Sequence, residues 1–176
     1  MQRSAVALTI QRCDNCGYCS GDIETAPVGA REIVENETYR ARLTAPGAPE
    51  ATNRYLCAAL VLEAAEEFRE AGWNAVEAAW VADDEDAEGA AIEARERAID
   101  LFRRASLGAT DDVADHHAVV ADLLRRTGRM DESRETCMVG LDSNPDALVR
   151  GVLEYELTLL DRNDRDAHSS AEAVAG

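Results

Sequence analysis

The chain has 176 residues and a formal net charge of −17, from 18 basic and 35 acidic side chains. Its hydrophobic content of 46% is too high for a chain that is disordered throughout. No apolar run approaches the ~20 residues of a membrane span, and the first ten residues lack a small-residue cleavage site. We therefore expect a cytoplasmic protein without a membrane segment, folded as one domain or one domain with a small appendage.

All 18 basic residues are arginine, because the sequence contains no lysine. An acidic, lysine-free surface is typical of halophilic proteins, since molar salt screens the self-repulsion of the charge. A high-GC genome, which favours alanine, arginine, aspartate and glycine codons, is the alternative explanation. In either case the charge argues against a nucleic-acid partner, because binding to a phosphate backbone relies on clustered cations.

The composition changes near residue 50. Three of the four prolines and a tight cysteine cluster lie in residues 1–50, whereas residues 51–162 are alanine-rich and have helical periodicity. This pattern predicts an irregular, cysteine-rich N-terminal cap with one helix at 29–43, followed by an all-α domain. We expect residues 163–176, which are small and polar, to form a flexible tail.

Cys13, Cys16 and Cys19 form a C-x2-C-x2-C cluster in the segment CDNCGYCS. Cys-x2-Cys-Gly is the form of a zinc knuckle, in which the glycine lets the chain turn so that backbone amides point at the thiolates. Clustered cysteines in a chain without a secretion signal favour metal binding over disulfides. The fourth ligand would be Cys57, one of the histidines His116 and His117, or a residue of a second chain.

The same spacing also begins the ferredoxin motif for an iron-sulfur cluster. That motif needs a further cysteine after three more residues, followed by proline, and here Ile23 and Glu24 occupy those positions. Zinc is therefore the preferred metal, and a cap without metal remains a third possibility.

Apolar residues at helical spacing predict six helices in the body. We expect Gly72 to end the first helix, the acidic stretch Asp83 to Glu88 to form a turn, and Ser143-Asn144-Pro145 to start the last helix. The predicted helices span 51–71, 74–84, 90–106, 111–127, 131–142 and 146–161.

Two helical segments face each other across a turn at Gly128 through residues that are mainly apolar or small: His117, Val120, Ala121, Leu124, Ser133, Cys137 and Gly140. With these residues and Pro145, which would start the next unit, residues 114–147 resemble a tetratricopeptide repeat (TPR), a 34-residue helix-turn-helix unit. A looser copy precedes it at Trp80, Ala98, Phe102 and Ala105. The predicted fold is an all-α set of TPR-like antiparallel helix pairs, an α-solenoid fragment; a generic bundle of helical hairpins is the alternative.

The segment CDNCGY is similar to the second knuckle of small uncharacterised microbial proteins in which paired CPxCG knuckles precede TPR-like helices. The first knuckle of such a pair is missing from this sequence.

The TPR resemblance implies a protein-protein interaction module that binds a protein or peptide, with an oligomeric state that the sequence leaves open. In such proteins the first helix of each unit lines the inner face, so the candidate partner contacts are Asp115, Asp122, Arg125 and Arg126. We expect no enzyme, because the sequence has no glycine-rich phosphate loop, nucleophile elbow or H-E-x-x-H motif. The alternative function is metal or redox sensing by Cys13, Cys16 and Cys19.

The two explanations of the acidic composition differ in their dependence on salt. If the surface is a halophilic adaptation, dilution from molar to low potassium chloride removes the screening and lowers the melting temperature. Thermal unfolding followed by circular dichroism at both salt concentrations checks this, and a salt-independent melting curve would favour the high-GC explanation.

Overall fold

The computed structural model describes residues 9–106 and 113–169. In these ranges the chain is mostly helical, with one small antiparallel hairpin near the start. The strands are β1 (Gln11–Arg12) and β2 (Cys19–Ser20), and the helices are α1 (Ala30–Glu35), α2 (Glu37–Leu43), α3 (Glu50–Ala64), α4 (Phe68–Asp84), α5 (Glu88–Ser106), α6 (Val113–Arg126), α7 (Met130–Asp142) and α8 (Ala147–Asp161). None of the described helices is long and apolar enough to cross a membrane.

The prediction of a single helix at 29–43 is wrong, because Asn36 interrupts the helix. Asn36 has an extended backbone (φ −67°, ψ 144°), and its side chain accepts a hydrogen bond from the backbone N–H of Thr38. Asparagine is a strong N-cap because it satisfies a donor that the helix leaves unpaired. Asn36 is therefore both the C-cap of α1 and the N-cap of α2.

Gly72 does not end the first body helix, so that prediction is also wrong. It lies buried inside α4, whereas α3 ends at Ala64 with Ala65 as its C-cap, and the chain turns at Glu66, which has a φ of 62°. The predicted helix at 74–84 accordingly begins earlier, at Phe68. Periodicity alone misplaced the boundary because the turn is built from ordinary alanine and glutamate residues.

The same backbone turn ends four of the described helices. At each, the N–H of a residue just after the turn donates to the carbonyl five residues earlier, and the preceding residue has a positive φ. The positive-φ residues are Glu66, Asp86, Gly128 and Asn163, and the bonds are Glu67 to Leu62 (2.9 Å), Ala87 to Ala82 (2.8 Å), Arg129 to Leu124 (2.9 Å) and Asp164 to Leu159 (3.0 Å). This is the Schellman motif, which satisfies carbonyls that a helix end otherwise leaves unpaired.

The chain divides into two compact units, Met1–Leu101 and Phe102–Gly176. The first unit includes the predicted cap, which packs onto the first body helix: β2, α1 and α2 all contact α3. In the first unit α3 and α4 also pack as a pair, and the short turn between them makes them antiparallel neighbours.

In the second unit α6 and α7 form a closely packed pair, and α8 packs against both. Small residues at the α6–α7 contact are buried: the hydroxyl of Ser133 donates to the carbonyl of Ala121 at 2.7 Å, and Gly140 lies against His117 and against Leu153 of α8. Cys137 is fully buried in the core cluster with Ala121 and Leu153.

The last helix, α8, begins at Ala147, one residue later than the predicted start at 146. Asp146 is the N-cap of α8, and its carboxylate accepts hydrogen bonds from the backbone N–H groups of Leu148 (2.8 Å) and Val149 (2.9 Å). After α8 the backbone carbonyls of Asp164 and Asp166 accept hydrogen bonds from Arg125. The part of the predicted flexible tail that the structure describes is thus attached to α6, and residues 170–176 lie outside the described residues.

Two helical glycines provide a matched test of the α6–α7 packing. A Cβ added at Gly140 would lie 2.8 Å from Cβ of His117 and 2.9 Å from Cδ1 of Leu153, whereas one added at Gly89 would meet nothing within 4 Å. We expect Gly140→Ala to lower the free energy of unfolding by about 1–3 kcal/mol. Gly89→Ala should raise it by up to about 1 kcal/mol.

Urea unfolding of the wild type and both variants measures these changes. Equal effects of the two substitutions would show that α6 and α7 do not approach closely at Gly140.

Candidate functional site

The CxxCG segment forms the turn of the β1–β2 hairpin. The N–H of Cys13 donates to the carbonyl of Tyr18 at 2.8 Å, and the N–H of Gly17 donates to the carbonyl of Cys13 at 2.8 Å. Gly17 has a φ of 79°, and a Cβ there would lie 2.9 Å from Cδ2 of Leu43. Glycine is therefore required twice over, by the left-handed backbone and by the close approach of α2.

The turn brings the thiols of Cys13 and Cys16 together. Hydrogen bonds to the sulfur of Cys13 lower the pKa of this thiol. The donors are the backbone N–H of Cys16, the backbone N–H of Asn15 and the thiol of Cys16. Cys13 is partly exposed and Cys16 is exposed. The turn therefore places two thiols in contact, with backbone N–H donors at Cys13 and with Cys16 open to solvent.

Cys19 belongs to a different cluster. It is 1% exposed and pairs with Cys57, a fully buried residue of α3 that the sequence suggested only as one possible closing ligand. The hydrogen bond from Cys57 lowers the pKa of Cys19 to about 7 although burial opposes the shift, and the same contact, together with burial, raises the pKa of Cys57. No cysteine motif in the sequence points to this pair, because 37 residues lie between Cys19 and Cys57 in the chain.

Tyr39 of α2 holds this second pair in place. Its hydroxyl donates to the carbonyl of Gly17 at 3.0 Å and accepts from the N–H of Cys19 at 3.0 Å, while the thiol of Cys57 donates to the carbonyl of Tyr39 at 3.8 Å. The phenol is 1% exposed, and burial raises its pKa, so it remains a neutral donor. One side chain thus joins the hairpin to α2 and, through Cys57, to α3.

The predicted three-thiol site is therefore divided between two pairs. Cys13 and Cys16 contact each other at the turn, whereas the thiol of Cys19 donates to the carbonyl of Gly17 at 3.4 Å and contacts Cys57. Within residues 9–106 and 113–169, no three cysteine, histidine, aspartate or glutamate side chains are grouped so that they could hold a metal ion.

A cavity of about 320 Å³ lies beside Cys13 and Cys16. Its walls are mainly apolar, but the charged side chains of Arg31, Glu35 and Arg40 also line it, and Nε of Arg31 lies 3.6 Å from Oε1 of Glu35. The accessible thiols of Cys13 and Cys16 therefore share this cavity with two guanidinium groups and one carboxylate.

A larger groove of about 670 Å³ lies in the same unit. It is lined by α2, α3, α5 and Ala45, and no residue of α4 contributes. Its apolar lining includes Ala41, Leu56 and Leu60, and its charged lining consists of Glu37, Arg42, Glu93, Glu96, Arg97 and Asp100. Arg42 forms an ion pair with Glu93, and Arg97 with Glu63, so both guanidinium groups of the groove are engaged by carboxylates.

The partner contacts predicted on α6 were expected to line a binding face. Arg125 is fully buried, so its guanidinium is not available to a partner. Asp122 is partly exposed and accepts a hydrogen bond from Nη2 of Arg125 at 2.7 Å. Arg126 is half-buried, and the side chain of Asp115 lies outside what the structure describes.

Arg125 is instead the centre of a buried polar network. Besides Asp122, its Nε donates to Glu156 of α8 at 2.7 Å, and its Nη1 donates to the carbonyls of Asp164 and Asp166 at 3.0 Å each. Burial raises the pKa of Glu156, and Arg125 opposes that shift. A buried charge needs such a complete set of partners, and the helical pattern around Arg125 gave no sign that it points inward.

No protein-family model matches this chain, and no curated protein or solved structure is significantly similar to it.

The exposure of the five cysteines leads to a test with iodoacetamide on reduced, chelator-treated protein. Cys13 and Cys16 should be alkylated first, because Cys16 is exposed and hydrogen bonds stabilise the thiolate of Cys13. The three buried thiols should react at least roughly 10³-fold more slowly, because iodoacetamide reaches them only when the fold opens. They are Cys19, Cys57 and Cys137.

Peptide mass spectrometry over a time course identifies the order, with urea-unfolded protein as the control in which all five react. Rapid labelling of Cys19 in the folded protein would contradict its burial against Cys57.

Proposed function

We propose that this protein is a protein-protein interaction module, whose first unit binds a basic, amphipathic peptide segment in the groove between α2, α3 and α5. The groove itself carries the proposal. Its volume of about 670 Å³ lies within the range of about 300–1,000 Å³ that is typical of ligand sites. We propose a binding protein and not an enzyme.

The arrangement of the lining helices supports this proposal. α3 and α5 line the groove, while α4, which lies between them in the chain, does not. Alternate helices lining one face are what a TPR-like repeat uses to bind peptides. This supports a TPR-like solenoid arrangement for the helix pairs as part of the proposal.

The charges of the lining favour a basic partner. Four carboxylates and two guanidinium groups surround the groove, and both guanidinium groups are paired with carboxylates. An arginine or lysine of a peptide would find acidic partners at the rim, and a large apolar side chain would contact Leu56 and Leu60. The overall charge of −17 adds long-range attraction for a basic segment.

The accessible thiols Cys13 and Cys16 lead to a second part of the proposal, that the cap binds a zinc ion. Their knuckle turn, with backbone donors to Cys13 and a glycine at the required position, supports it. An iron-sulfur cluster is less favoured, because the sequence lacks the closing cysteine of that motif.

Metal or redox sensing is the second candidate function. The observation in its favour is that α2 joins the two sites: Tyr39 contacts the hairpin at Gly17 and Cys19, and Arg42, three residues further on, forms an ion pair within the groove. A change at the thiols could then alter the groove. This candidate requires that peptide affinity changes when zinc is added or when the thiols are oxidised.

Selection of a displayed random peptide library on the wild-type protein tests the interaction function. Enriched peptides should combine arginine or lysine with a nearby large apolar residue. Asp100→Arg, an exposed change at the groove, should weaken binding of a selected peptide about five- to tenfold, as expected for loss of one anchoring contact.

The matched control is Asp142→Arg, the same change at an exposed position of α7 that does not line the groove. Its affinity should stay within about twofold of wild type. Failure to enrich peptides, or equal losses in both variants, would contradict the proposed groove. Fluorescence anisotropy of one peptide with and without zinc then decides between a plain interaction module and a sensor.

A further inference from the structure

We propose that the zinc site of this protein is shared between two copies of the chain, each supplying the thiolates of Cys13 and Cys16. This inference rests on the zinc binding proposed above and names its ligands. It also implies a dimer that forms only with the metal, because the site is incomplete in one copy.

The first step is that each chain presents a rigid pair of thiols. The hairpin bonds from Cys13 to Tyr18 and from Gly17 to Cys13, both 2.8 Å, close the turn. Gly17 lies tightly against Leu43 of α2, so the turn cannot shift without disturbing the helix. The thiols of Cys13 and Cys16 touch each other, and Cys16 is exposed. The pair is therefore preorganised and accessible from outside.

The second step is that Cys19 is committed elsewhere. Its sulfur is buried, donates to the carbonyl of Gly17 at 3.4 Å and contacts Cys57, and its N–H is bound to the hydroxyl of Tyr39. Turning Cys19 toward the knuckle would break these contacts and leave Cys57 without its neighbour. Two thiolates are therefore the contribution of one cap.

The third step concerns the other soft ligands of the chain, which all belong to the second unit. Cys137 is fully buried in its core, and His116 is 6% exposed and packs against Phe102 with ring centroids 5.5 Å apart. His117 contacts Gly140 in the packed α6–α7 pair, and Nε2 of His168 lies 3.1 Å from Asp164. Each has a structural role within its own unit.

Zinc in structural sites takes four ligands in a tetrahedron. A two-fold axis through the ion would bring the same two thiolates from a second copy, which is the self-complementary arrangement of a closed dimer. Four Zn–S bonds form, and the thiol protons that are displaced go to the buffer. The resulting tetrathiolate complex carries two negative charges, and the guanidinium of Arg40, which lines the same cavity in each copy, offsets them; Arg31 is already paired with Glu35.

Reduced, metal-free protein titrated with zinc tests the inference. The titration is done in molar potassium chloride, because two chains of charge −17 repel each other when unscreened. We expect saturation at one zinc per two chains and, by light scattering after gel filtration, a change from 19.1 kDa to twice that mass. Chelator should restore the monomer, and cobalt in place of zinc should give the absorption spectrum of a tetrahedral tetrathiolate.

Two variants separate this inference from the proposal on which it rests. Cys16→Ser should abolish both zinc binding and the mass change, while Cys19→Ser should retain both; circular dichroism checks that each variant folds. One zinc per monomer, lost in Cys19→Ser, would overturn the shared site and leave the zinc knuckle intact. Dimerisation without zinc would also overturn it, and a chain that binds no zinc would overturn both.

Discussion

The turn that ends four of the described helices is the constraint on which the architecture depends. Two of these turns, at Glu66 and Gly128, join α3 to α4 and α6 to α7, and in both cases the two joined helices pack against each other as a pair. Three of the four left-handed positions hold Glu66, Asp86 and Asn163 instead of glycine. Aspartate and asparagine tolerate this conformation, whereas for Glu66 it costs about 1–2 kcal/mol. The hydrogen bond across the turn and the packing of the paired helices offset that cost.

The cap depends on this helical frame through a single buried phenol. Tyr39 is bound to both the carbonyl of Gly17 and the N–H of Cys19, so a hairpin with two-residue strands acquires a defined position on α2 and α3. A hairpin of this size has little stability of its own. The tertiary contact thereby decides which cysteines remain accessible: Cys13 and Cys16 stay at the turn, and Cys19 is buried against Cys57.

The absence of lysine from the sequence is reflected in how the chain uses its buried cations. Nη2 of Arg95, which is 4% exposed, contacts both carboxylate oxygens of Asp83 at 2.5 and 2.6 Å, and Arg125 donates to two carboxylates and two carbonyls. Lysine offers a single ammonium and could not serve so many partners in fixed directions. These arginines join helices, whereas the acidic excess remains largely at the surface.

The sequence by itself determined the helical class, the approximate positions of most helices and the sharp turn of the CxxCG segment, because periodicity, glycine and cysteine spacing are local properties. The boundaries near Asn36 and Glu66, the pairing of Cys19 with Cys57 and the burial of Arg125 were decided only by the tertiary structure. Each depends on a partner distant in the chain or on a backbone conformation without a sequence signature: Cys57 lies on another helix from the hairpin, and the carbonyls that bind Arg125 follow α8. Two thiols separated by three positions look alike in the sequence, and only the packing of α2 and α3 around the hairpin distinguishes the buried one from the exposed one.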